Sequence, residues 1–473
     1  MFFKRFYDEW LAQASYLIGC TATGDALVVD PARVIQPYLD AARAEGLRIT
    51  GVTETHIHAD FLSGLRELAA ATGAAMYLSG CGPPEWQYAF ADDPAVRLLA
   101  DRDRIEVGNV MLEAVHTPGH TPEHVSFLVT DRAGANGPMG ILSGDFVFVG
   151  DVGRPDLLEK AARVADTAAA GARQLFNSLA WFRTLPDHLQ VWPGHGAGSA
   201  CGKGLGAVPQ STVGYERRFN WALGIEDRER FVDQVLLGQP EPPRYFGRMK
   251  RLNREGPVVL GALPTPERIA PDALVAVLAE DAVLIDTRPT AQFASGHIAG
   301  SLNIPFGRSF TTYAGSLLPY DRDLAFILAD PTPERVGALV AGSVSIGLDR
   351  VGGVAGTDAV DAWAAAGRPM AAVPQIDARE LIAAGNGRTL VDVRNRSEWD
   401  DGRVAGSMLL PLAELIDRVD EVPRGADVLL LCGTGSRSAA AASVLKARGY
   451  DRVANLAGGY AAWIAAGGPV TRT

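Results

Sequence analysis

Residues 49–60 read ITGVTETHIHAD, an apolar, strand-like run that ends in two histidines two positions apart and an aspartate. Histidines with this spacing at the end of a strand can converge on one metal ion, whereas a single histidine is more often structural. Further clusters follow along the chain: HTPGHT at 116–121, SGD at 143–145 and PGHG at 193–196. Together and in this order, they predict a metal site in the first half of the chain.

The order and spacing of these clusters resemble the metallo-β-lactamase superfamily, whose signature is T-H-x-H-x-D-H followed by G-H, G-D and G-H. The resemblance covers roughly residues 10–235 and implies an αββα sandwich with the metal in the cleft between two sheets. Phe61 departs from the signature, because it stands where the family has its final motif histidine. A phenyl ring cannot ligate a metal, so the second metal site loses a ligand. Dinuclear zinc hydrolysis, which needs a bridged water, is thereby disfavoured.

The remaining site has imidazole and carboxylate ligands. Two histidines and one carboxylate with open positions opposite form the non-haem Fe(II) oxygenase arrangement, and activation of O₂ requires redox chemistry that zinc lacks. The segments ETHIHADFLSG, HTPGHTPEH and GDFVFVGDVGRPDLL resemble the persulfide dioxygenase branch. That resemblance implies one Fe(II) per chain, with His56, His120 and Asp145 as ligands. His58 is expected to be either a weak fourth ligand or an outer partner.

The same resemblance implies the reaction RSSH + O₂ + H₂O, giving sulfite and RSH. The terminal persulfide sulfur is expected to bind iron as a soft anion, with O₂ beside it. Asp60 and His195 are expected to orient ligands or water around the ion. His116 and His124 are predicted to be structural.

Other residues near these motifs have two open interpretations each. Arg154, in GRPD, matches the position at which the branch grips the anionic tail of the thiol, and a surface ion pair is the alternative. Tyr16 matches a hydroxyl near the metal, or else is a half-buried core tyrosine. Cys201 lies six residues after the GHG histidine, and we predict that it carries or relays sulfur rather than being a buried spectator. Cys20 and Cys81 have no motif and are predicted to be packing residues.

The second half of the chain contains an internal repeat. Residues 284–305 (LIDTRPTAQFASGHIAGSLNIP) align without a gap on residues 390–411 (LVDVRNRSEWDDGRVAGSMLLP) at an offset of 106, and each copy ends in W-x-x-x-G-x-P. A repeat of this length implies two α/β domains of about 100 residues each. Each domain opens with a buried strand that ends in D-x-R, which we interpret as an ion pair that closes a turn.

The second copy carries LLCGTGSR at 430–437, an apolar strand that leads into a Gly-rich loop and an Ala-rich helix. Backbone N–H groups in such a loop, at a helix N-terminus, stabilise an anion and lower the pKa of a cysteine. With the repeat, this resembles rhodanese sulfurtransferases and implies that Cys432 carries a persulfide while Arg437 adds positive charge. The substrate-binding residues predicted in the loop are Gly433, Thr434, Gly435 and Ser436.

The corresponding segment of the first copy is FILADPTPER, and Asp330 is predicted to occupy the position of the cysteine. An aspartate cannot form a persulfide, and its charge repels an anionic sulfur donor. The first copy contains no cysteine at all. We therefore predict a non-catalytic rhodanese-like domain used for docking or spacing.

The predicted fold class is a multidomain α/β protein. The predicted boundaries are a metallo-β-lactamase-type αββα sandwich at 1–240, a linker rich in Pro, Gly and basic residues at 241–257, an inactive rhodanese-like domain at 258–372 and a catalytic rhodanese domain at 373–473.

Composition limits the partners and the compartment. The net charge of −11 argues against nucleic acid or anionic membrane as a partner. No apolar run approaches the ~20 residues that span a bilayer, and the sequence starts without a signal-peptide pattern. We therefore expect a cytoplasmic protein whose four scattered cysteines are thiols. The expected partners are a small-molecule persulfide or thiol, O₂ and sulfite, and we expect a homo-oligomer.

The whole arrangement resembles bacterial persulfide dioxygenase–rhodanese fusions over essentially the full chain. Sulfite made at iron could attack the sulfane sulfur on Cys432 and yield thiosulfate, or the rhodanese could run in reverse and feed the iron. The main alternative is a zinc-dependent thioester hydrolase of the glyoxalase II type with a rhodanese domain. A third class is a sulfur-carrier or redox-sensing module without turnover. The thiol carrier and the direction of the rhodanese step stay open.

Overall fold

The structure is a computed structural model that describes residues 1–160, 167–385 and 387–472. These residues form two compact units. The first unit runs from Met1 to Leu263 and takes in Val344–Gly347, and the second contains the described remainder from Pro264 onward. Among the described residues, no helix is both long and apolar enough to cross a lipid bilayer.

The first unit consists of two mixed sheets and the helices that cover them. Its strands are β1 (Phe2–Asp8), β2 (Gln13–Cys20), β3 (Asp25–Val29), β4 (Arg48–Thr53), β5 (Ala75–Ser79), β6 (Val96–Leu99), β7 (Arg104–Val107), β8 (Val110–His116), β9 (Val125–Asp131), β10 (Gly140–Gly144), β11 (Gln190–Pro193) and β12 (Ser211–Thr212). Its helices are α1 (Gln36–Ala44), α2 (Leu65–Thr72), α3 (Leu157–Lys160), α4 (Thr167–Phe182), α5 (Val213–Phe219), α6 (Arg228–Leu236) and α7 (Phe246–Glu255). The strand orders are β1-β2-β3-β4-β5-β6 and β12-β11-β10-β9-β8-β7.

The layers follow from the side-chain alternation along β2, whose two faces are both buried. Tyr16 and Ile18 enter the core between the two sheets, whereas Leu17 points into the core beneath α1 and α2. On the other side, Leu175 of α4 and Phe231 of α6 pack against the second sheet. The predicted αββα sandwich is confirmed.

Most of the predicted linker is a packed helix. The Pro, Gly and basic residues of this segment predict a linker, yet α7 begins at Phe246 within it. Phe246, Met249, Lys250 and Asn253 are buried. Their spacing places them on one face of a helix, and this face packs within the first unit. The composition of the segment concealed this pattern.

The second unit contains the two copies of the repeat. The first copy has β13 (Glu267–Arg268), α8 (Leu274–Ala279), β14 (Val283–Asp286), α9 (Thr290–Ser295), β15 (His297–Ile298), β16 (Leu302–Asn303), α10 (Phe310–Leu317), β17 (Leu324–Ile327), α11 (Pro333–Ser345), β18 (Val351–Ala355), α12 (Asp358–Ala365) and β19 (Met370–Ala371). The second has β20 (Gln375–Ile376), α13 (Ala378–Ala384), β21 (Thr389–Asp392), α14 (Arg396–Asp400), β22 (Arg403–Val404), β23 (Met408–Leu409), α15 (Leu415–Arg418), β24 (Val428–Leu431), α16 (Ser436–Ala447), β25 (Val453–Leu456), α17 (Gly459–Ala465) and β26 (Val470–Thr471).

The two copies have the same topology. Parallel sheets with the orders β13-β18-β17-β14-β16 and β20-β25-β24-β21-β23 form their centres. In each D-x-R motif the arginine pairs with the aspartate through two nitrogens, at 2.6 Å between Arg288 Nη2 and Asp286 Oδ2 and 2.7 Å between Arg394 Nη2 and Asp392 Oδ2. The predicted ion pair is confirmed in both copies.

The strand register corrects one correspondence between the copies. β17 ends at Ile327 and β24 ends at Leu431, and each of these residues pairs with the aspartate of its own D-x-R motif. The next residue is Leu328 in the first copy and Cys432 in the second. The prediction that Asp330 occupies the cysteine position is therefore wrong by two residues. A leucine, like an aspartate, cannot carry a persulfide, so we still expect the first copy to be non-catalytic.

Candidate metal centre and sulfur-transfer loop

Three of the predicted metal ligands converge in the first unit. His56, His120 and Asp145 are buried, and one ligand atom from each lies within 4.8 Å of the others. His120 Nε2 lies 3.5 Å from Asp145 Oδ2. Neither carboxylate oxygen of Asp145 has a hydrogen-bond partner among the described residues, although both are buried. A buried carboxylate without partners is costly, and a bound cation would remove that cost.

Hydrogen bonds fix which nitrogen of each imidazole can bind an ion. His120 Nδ1 lies 3.0 Å from the carbonyl oxygen of Arg154, which can only accept, so Nδ1 carries the hydrogen. His56 Nδ1 lies 3.0 Å from the hydroxyl of Thr55, which itself donates to Asp30. Both Nε2 atoms therefore carry a free lone pair. Burial and the surrounding cationic groups hold the pKa of both imidazoles well below the ordinary value.

His124 and the strand end position Asp145. The backbone N–H of Asp145 donates to His124 Nε2 at 3.1 Å, and His124 Nδ1 bonds the hydroxyl of Thr117 at 2.8 Å. Both ring nitrogens of His124 are thus used within the protein, and His116 bonds a backbone carbonyl. Burial raises the pKa of the Asp145 carboxyl to about 6, against the opposing charge of His195.

His58 lies beside the ligands but is held by another carboxylate. Its Nε2 is 3.1 Å from Asp30 Oδ1, and its ring stacks at 4.5 Å on the fully buried ring of Phe61. Burial lowers the pKa of His58, but Asp30, Glu54 and Asp60 outweigh it and raise the value to about 9. In the part of the chain that the structure describes, Nδ1 has no hydrogen-bond partner. Ligation by His58 stays a prediction, and it would have to use Nδ1.

Asp60, His195 and Cys201 form a second buried donor group, with ligand atoms within 4.8 Å of one another. His195 Nε2 lies 3.3 Å from Asp60 Oδ2 and 3.5 Å from Asp145 Oδ1. Its Nδ1 lies 3.0 Å from the carbonyl oxygen of Ala12, so the Nε2 lone pair faces the carboxylates. Sequence reasoning expected Asp60 and His195 only as outer residues. The structure adds a thiol to them, and the three can hold a cation even though Phe61 contributes no ligand atom.

Cys201 lies next to the candidate metal centre, in one buried donor group with Asp60 and His195. Burial, with the charges of Asp60 and Asp145, raises the pKa of its thiol well above the ordinary value. Its predicted role as a sulfur carrier stays a prediction. Cys20 packs into the core between the sheets, and Cys81 is half-buried against the same core, which is consistent with packing residues.

Arg154 and Tyr16 are occupied by protein partners. The Arg154 guanidinium is fully buried, donates to both oxygens of Asp156 at 2.7 and 2.8 Å, and donates to the carbonyl of Ala200 at 3.0 Å. The Arg154 guanidinium thereby holds the backbone of Ala200, next to Cys201. Arg154 forms an ion pair, as one of its two interpretations expects, but the pair lies inside the core and not at the surface. Its binding of the anionic tail of the thiol stays a prediction. Tyr16 is buried in the core between the sheets, and its hydroxyl donates to the carbonyl of Pro193 at 2.7 Å. A role of this hydroxyl near the metal stays a prediction.

Helix α7 contributes residues that sequence reasoning missed. The backbone N–H of Ile57 donates to Glu123 at 3.0 Å, and its carbonyl accepts from the Lys250 ammonium at 3.1 Å. Asn253 donates to the carbonyls of His58 and Phe61 at 2.9 and 2.7 Å. The peptide between the two histidines is therefore held on both sides by buried charges. The helical spacing of the buried α7 residues was the sequence signal that could have revealed this.

The loop of the second copy holds the sulfur of Cys432 directly. Sγ accepts from the backbone N–H of Gly435 at 3.1 Å and from the Ser438 hydroxyl at 3.4 Å. Gly459 closes the loop from behind, where an added Cβ would lie 2.3 Å from the Cys432 carbonyl. Its positive φ of 60° also favours glycine. The sulfur of Cys432 thus has one backbone N–H and one hydroxyl as donors, with Gly459 packed behind the loop, and anion binding by this loop stays a prediction.

Arg437 does not present a free charge at this loop. Its guanidinium donates to both carboxylate oxygens of Glu398 at 2.6 and 2.7 Å. Burial raises the pKa of Glu398, but the bonds and charge of Arg437 prevail and lower it. The charge of Arg437 is therefore paired with Glu398 beside the loop, and its predicted catalytic role stays a prediction. The first copy has Gln292 at the equivalent repeat position.

Comparison with known proteins identifies the family. A model of the metallo-β-lactamase superfamily matches residues 8–195, and a model of the rhodanese-like domain matches residues 270–356 and 375–466. A crystal structure of a metallo-β-lactamase from Staphylococcus aureus subsp. aureus COL is 43% identical, with a TM-score of 0.69. The match covers 75% of this chain and 99% of that one. The chain belongs to the metallo-β-lactamase superfamily. Two rhodanese-like domains follow its metallo-β-lactamase domain.

Relatives of this metallo-β-lactamase domain have different names. A hydroxyacylglutathione hydrolase of Rhodospirillum rubrum is 31% identical over 185 residues, which are 38% of this chain and 60% of that enzyme. A mitochondrial persulfide dioxygenase of Bos taurus is 25% identical over 245 residues, which are 50% of this chain and 83% of that enzyme. The chain thus spans less than two thirds of the Rhodospirillum enzyme. Membership of the superfamily therefore leaves the specific reaction open.

Proposed function

We propose that the metallo-β-lactamase domain is a persulfide dioxygenase, which oxidises a low-molecular-weight persulfide with O₂. The overall reaction, RSSH + O₂ + H₂O → RSH + H₂SO₃, oxidises the terminal sulfur and reduces O₂. The observation that carries the proposal is the convergence of two imidazoles and one carboxylate, His56, His120 and Asp145, within 4.8 Å. This is the ligand set of non-haem Fe(II) oxygenases.

One Fe(II) per chain would supply a redox-active centre with free positions for a sulfur anion and O₂. Zinc would not serve, because it has no accessible change of oxidation state. The residues present fit such an ion. The two Nε2 lone pairs and Asp145 Oδ2 face one buried space, and neither Asp145 oxygen has a hydrogen-bond partner among the described residues. Ferrous iron is bound by imidazole and carboxylate groups. The hydrogen bonds leave each imidazole neutral with a lone pair on Nε2, and an ionised carboxylate can only accept.

The chain's own residues would orient the ligands and hold water. Thr55 and the Arg154 carbonyl keep the proton of each ligand imidazole on Nδ1. Asp60 and His195 face each other at 3.3 Å beside Asp145 and are proposed to orient the water that the reaction consumes. Cys201, in the same group, is proposed to relay sulfur to the centre.

The rhodanese step would use Cys432. In the forward direction sulfite attacks the outer sulfur of its persulfide: Cys–S–S⁻ + SO₃²⁻ → Cys–S⁻ + S₂O₃²⁻. The S–S bond to Cys432 breaks, and its electron pair stays on the thiolate. That thiolate accepts hydrogen bonds from Gly435 and Ser438, which stabilise the leaving group. The reverse step would load the thiol with sulfur, and the direction stays open.

A zinc thioester hydrolase of the glyoxalase II type is the second candidate, and one observation favours it. Asp60, His195 and Cys201 can hold a second cation, and the two oxygens of Asp145 face the two donor groups, one each. A bridging carboxylate of this kind suits two-metal hydrolysis. Against it stands Phe61, whose fully buried ring replaces a ligand of the second site.

The remaining expectations concern partners and compartment. The proposed partners are small molecules, namely a persulfide or thiol, O₂ and sulfite. A cytoplasmic location and a homo-oligomer stay predictions.

An oxygen-electrode assay with the full chain tests the proposal. Persulfides of glutathione, coenzyme A and other small thiols are supplied to the native protein and to Asp145→Asn, which keeps the shape but removes the charged ligand. We expect persulfide-dependent O₂ uptake in the native protein and its loss in the variant, with sulfur transfer at Cys432 retained. Thioester cleavage with no O₂ uptake from any persulfide would favour the zinc hydrolase instead.

A further inference from the structure

The Cys-less copy packs against the helix that follows the sulfur-transfer loop. Residues 438–445 of α16 are all buried, which is unusual for one helix in a small domain. The first copy supplies part of that cover, because the backbone N–H of Asn303 donates to the Ser443 hydroxyl at 2.9 Å. The two copies therefore share an interface at the sulfur-transfer helix.

This interface extends to the loop through one side chain. Tyr313, on α10 of the Cys-less copy, is 9% exposed, and its hydroxyl lies 3.5 Å from the hydroxyl of Ser436. Ser436 is the first residue of α16 and belongs to the predicted substrate loop. The Tyr313 hydroxyl therefore stands beside the loop that holds Cys432, although it comes from a copy without a cysteine.

The pairing of the Arg437 charge makes a hydroxyl beside the loop relevant to the binding of an anionic substrate. Arg437 is bound through both of its terminal nitrogens to Glu398, so an anionic substrate meets a neutralised pair instead of a free cation. Among the described residues, the backbone N–H of Gly435 and the hydroxyl of Ser438 donate to the sulfur. Thr434 is exposed and Ser436 is half-buried, and the Tyr313 hydroxyl adjoins Ser436.

We propose that the Tyr313 hydroxyl donates a hydrogen bond to an oxygen of the sulfur oxyanion, thiosulfate or sulfite, that exchanges sulfur with Cys432. This inference rests on the proposed sulfur transfer and assigns the Cys-less copy a part in it. With thiosulfate as donor, the Cys432 thiolate attacks the outer sulfur: Cys–S⁻ + S₂O₃²⁻ → Cys–S–S⁻ + SO₃²⁻. The new S–S bond forms as the old one breaks, and the electron pair leaves on sulfite, whose oxygens face Tyr313.

The test compares two sulfur donors in the full chain. Thiosulfate has oxyanion oxygens, whereas an uncharged-tail organic persulfide has none, and both can load Cys432. Tyr313→Phe removes only the hydroxyl. We expect the KM for thiosulfate to rise about tenfold, as for the loss of a hydrogen bond to a charged group, with loading from the organic persulfide unchanged. Tyr320→Phe is the matched control, because that hydroxyl bonds the Gly315 carbonyl within the first copy.

Each other outcome is decisive. An unchanged thiosulfate KM in Tyr313→Phe, with Cys432 still loaded by both donors, overturns the inference and leaves the sulfur-transfer proposal standing. An equal loss with both donors indicates a merely structural contact and also overturns it. Failure of the native protein to load Cys432 from either donor defeats the sulfur-transfer proposal, and the oxyanion contact with it.

Discussion

Replacing Lys250 by methionine removes a buried charge from behind the candidate metal centre while it keeps the length of the side chain. The Lys250 ammonium lies 3.1 Å from the Ile57 carbonyl and 3.8 Å from Glu123 Oε1, and both side chains are nearly or fully buried. Breaking a buried ion pair leaves an uncompensated charge on Glu123, which costs about 3–5 kcal/mol of unfolding free energy. Because the same contacts hold the peptide between His56 and His58, we expect metal affinity to fall by about 10- to 100-fold.

Two measurements on Lys250→Met check this reasoning. Urea unfolding gives the loss of stability, and anaerobic titration with Fe(II), or with Co(II) as a substitute, against a competing chelator gives the affinity. Arg251→Met is the matched control, since it removes the same charge from an exposed neighbour on α7 and should change stability by no more than about 0.5 kcal/mol. Adding Glu123→Gln should restore much of the stability, because both charges are then gone. Metal affinity equal to that of Arg251→Met would refute the positioning role.

Other predictions concern the sulfur-handling groups. Gly459→Ala should abolish sulfur transfer, because the new Cβ would lie 2.3 Å from the Cys432 carbonyl. Gly467→Ala is the control: it has a similar positive φ of 76° but would meet no described atom within 4 Å, so it should lose only about 1–2 kcal/mol of stability. Equal thiosulfate sulfurtransferase rates in the two variants would contradict the clash. Cys201→Ser should slow persulfide oxidation by about tenfold or more if its thiol carries sulfur, with bound iron unchanged and with Cys81→Ser as control; unchanged rates with every persulfide would end the relay hypothesis.

The sequence predicted much of the architecture, because periodic patterns and repeats are local. The gapless repeat indicated the paired α/β domains, and the resemblance carried by the histidine and aspartate motifs implied the sandwich and the ligands His56, His120 and Asp145. Strand ends recur at fixed places in such a fold, so their side chains could be predicted to converge.

The missed features depend on side-chain partners and burial that no motif reveals, or on a segment whose composition hid a helix. Glu398 lies 39 residues before the arginine that it neutralises, and nothing in the CGTGSR motif indicates it. For Arg154 the sequence offered substrate binding or a surface ion pair, and it does not show that the pair with Asp156, two residues away, lies inside the core. Composition predicted a linker where α7 packs. The loop after β17 differs in length from the loop after β24, so the sequence assigned Asp330 to the cysteine position that Leu328 occupies.

Metal content and oxygen consumption, measured together on the native full chain purified without chelators, test the central claim most directly. The account predicts one iron per chain and persulfide-dependent O₂ uptake, with one O₂ consumed for each sulfite formed. Two zinc ions per chain, with thioester cleavage and no persulfide-dependent O₂ uptake, would contradict it.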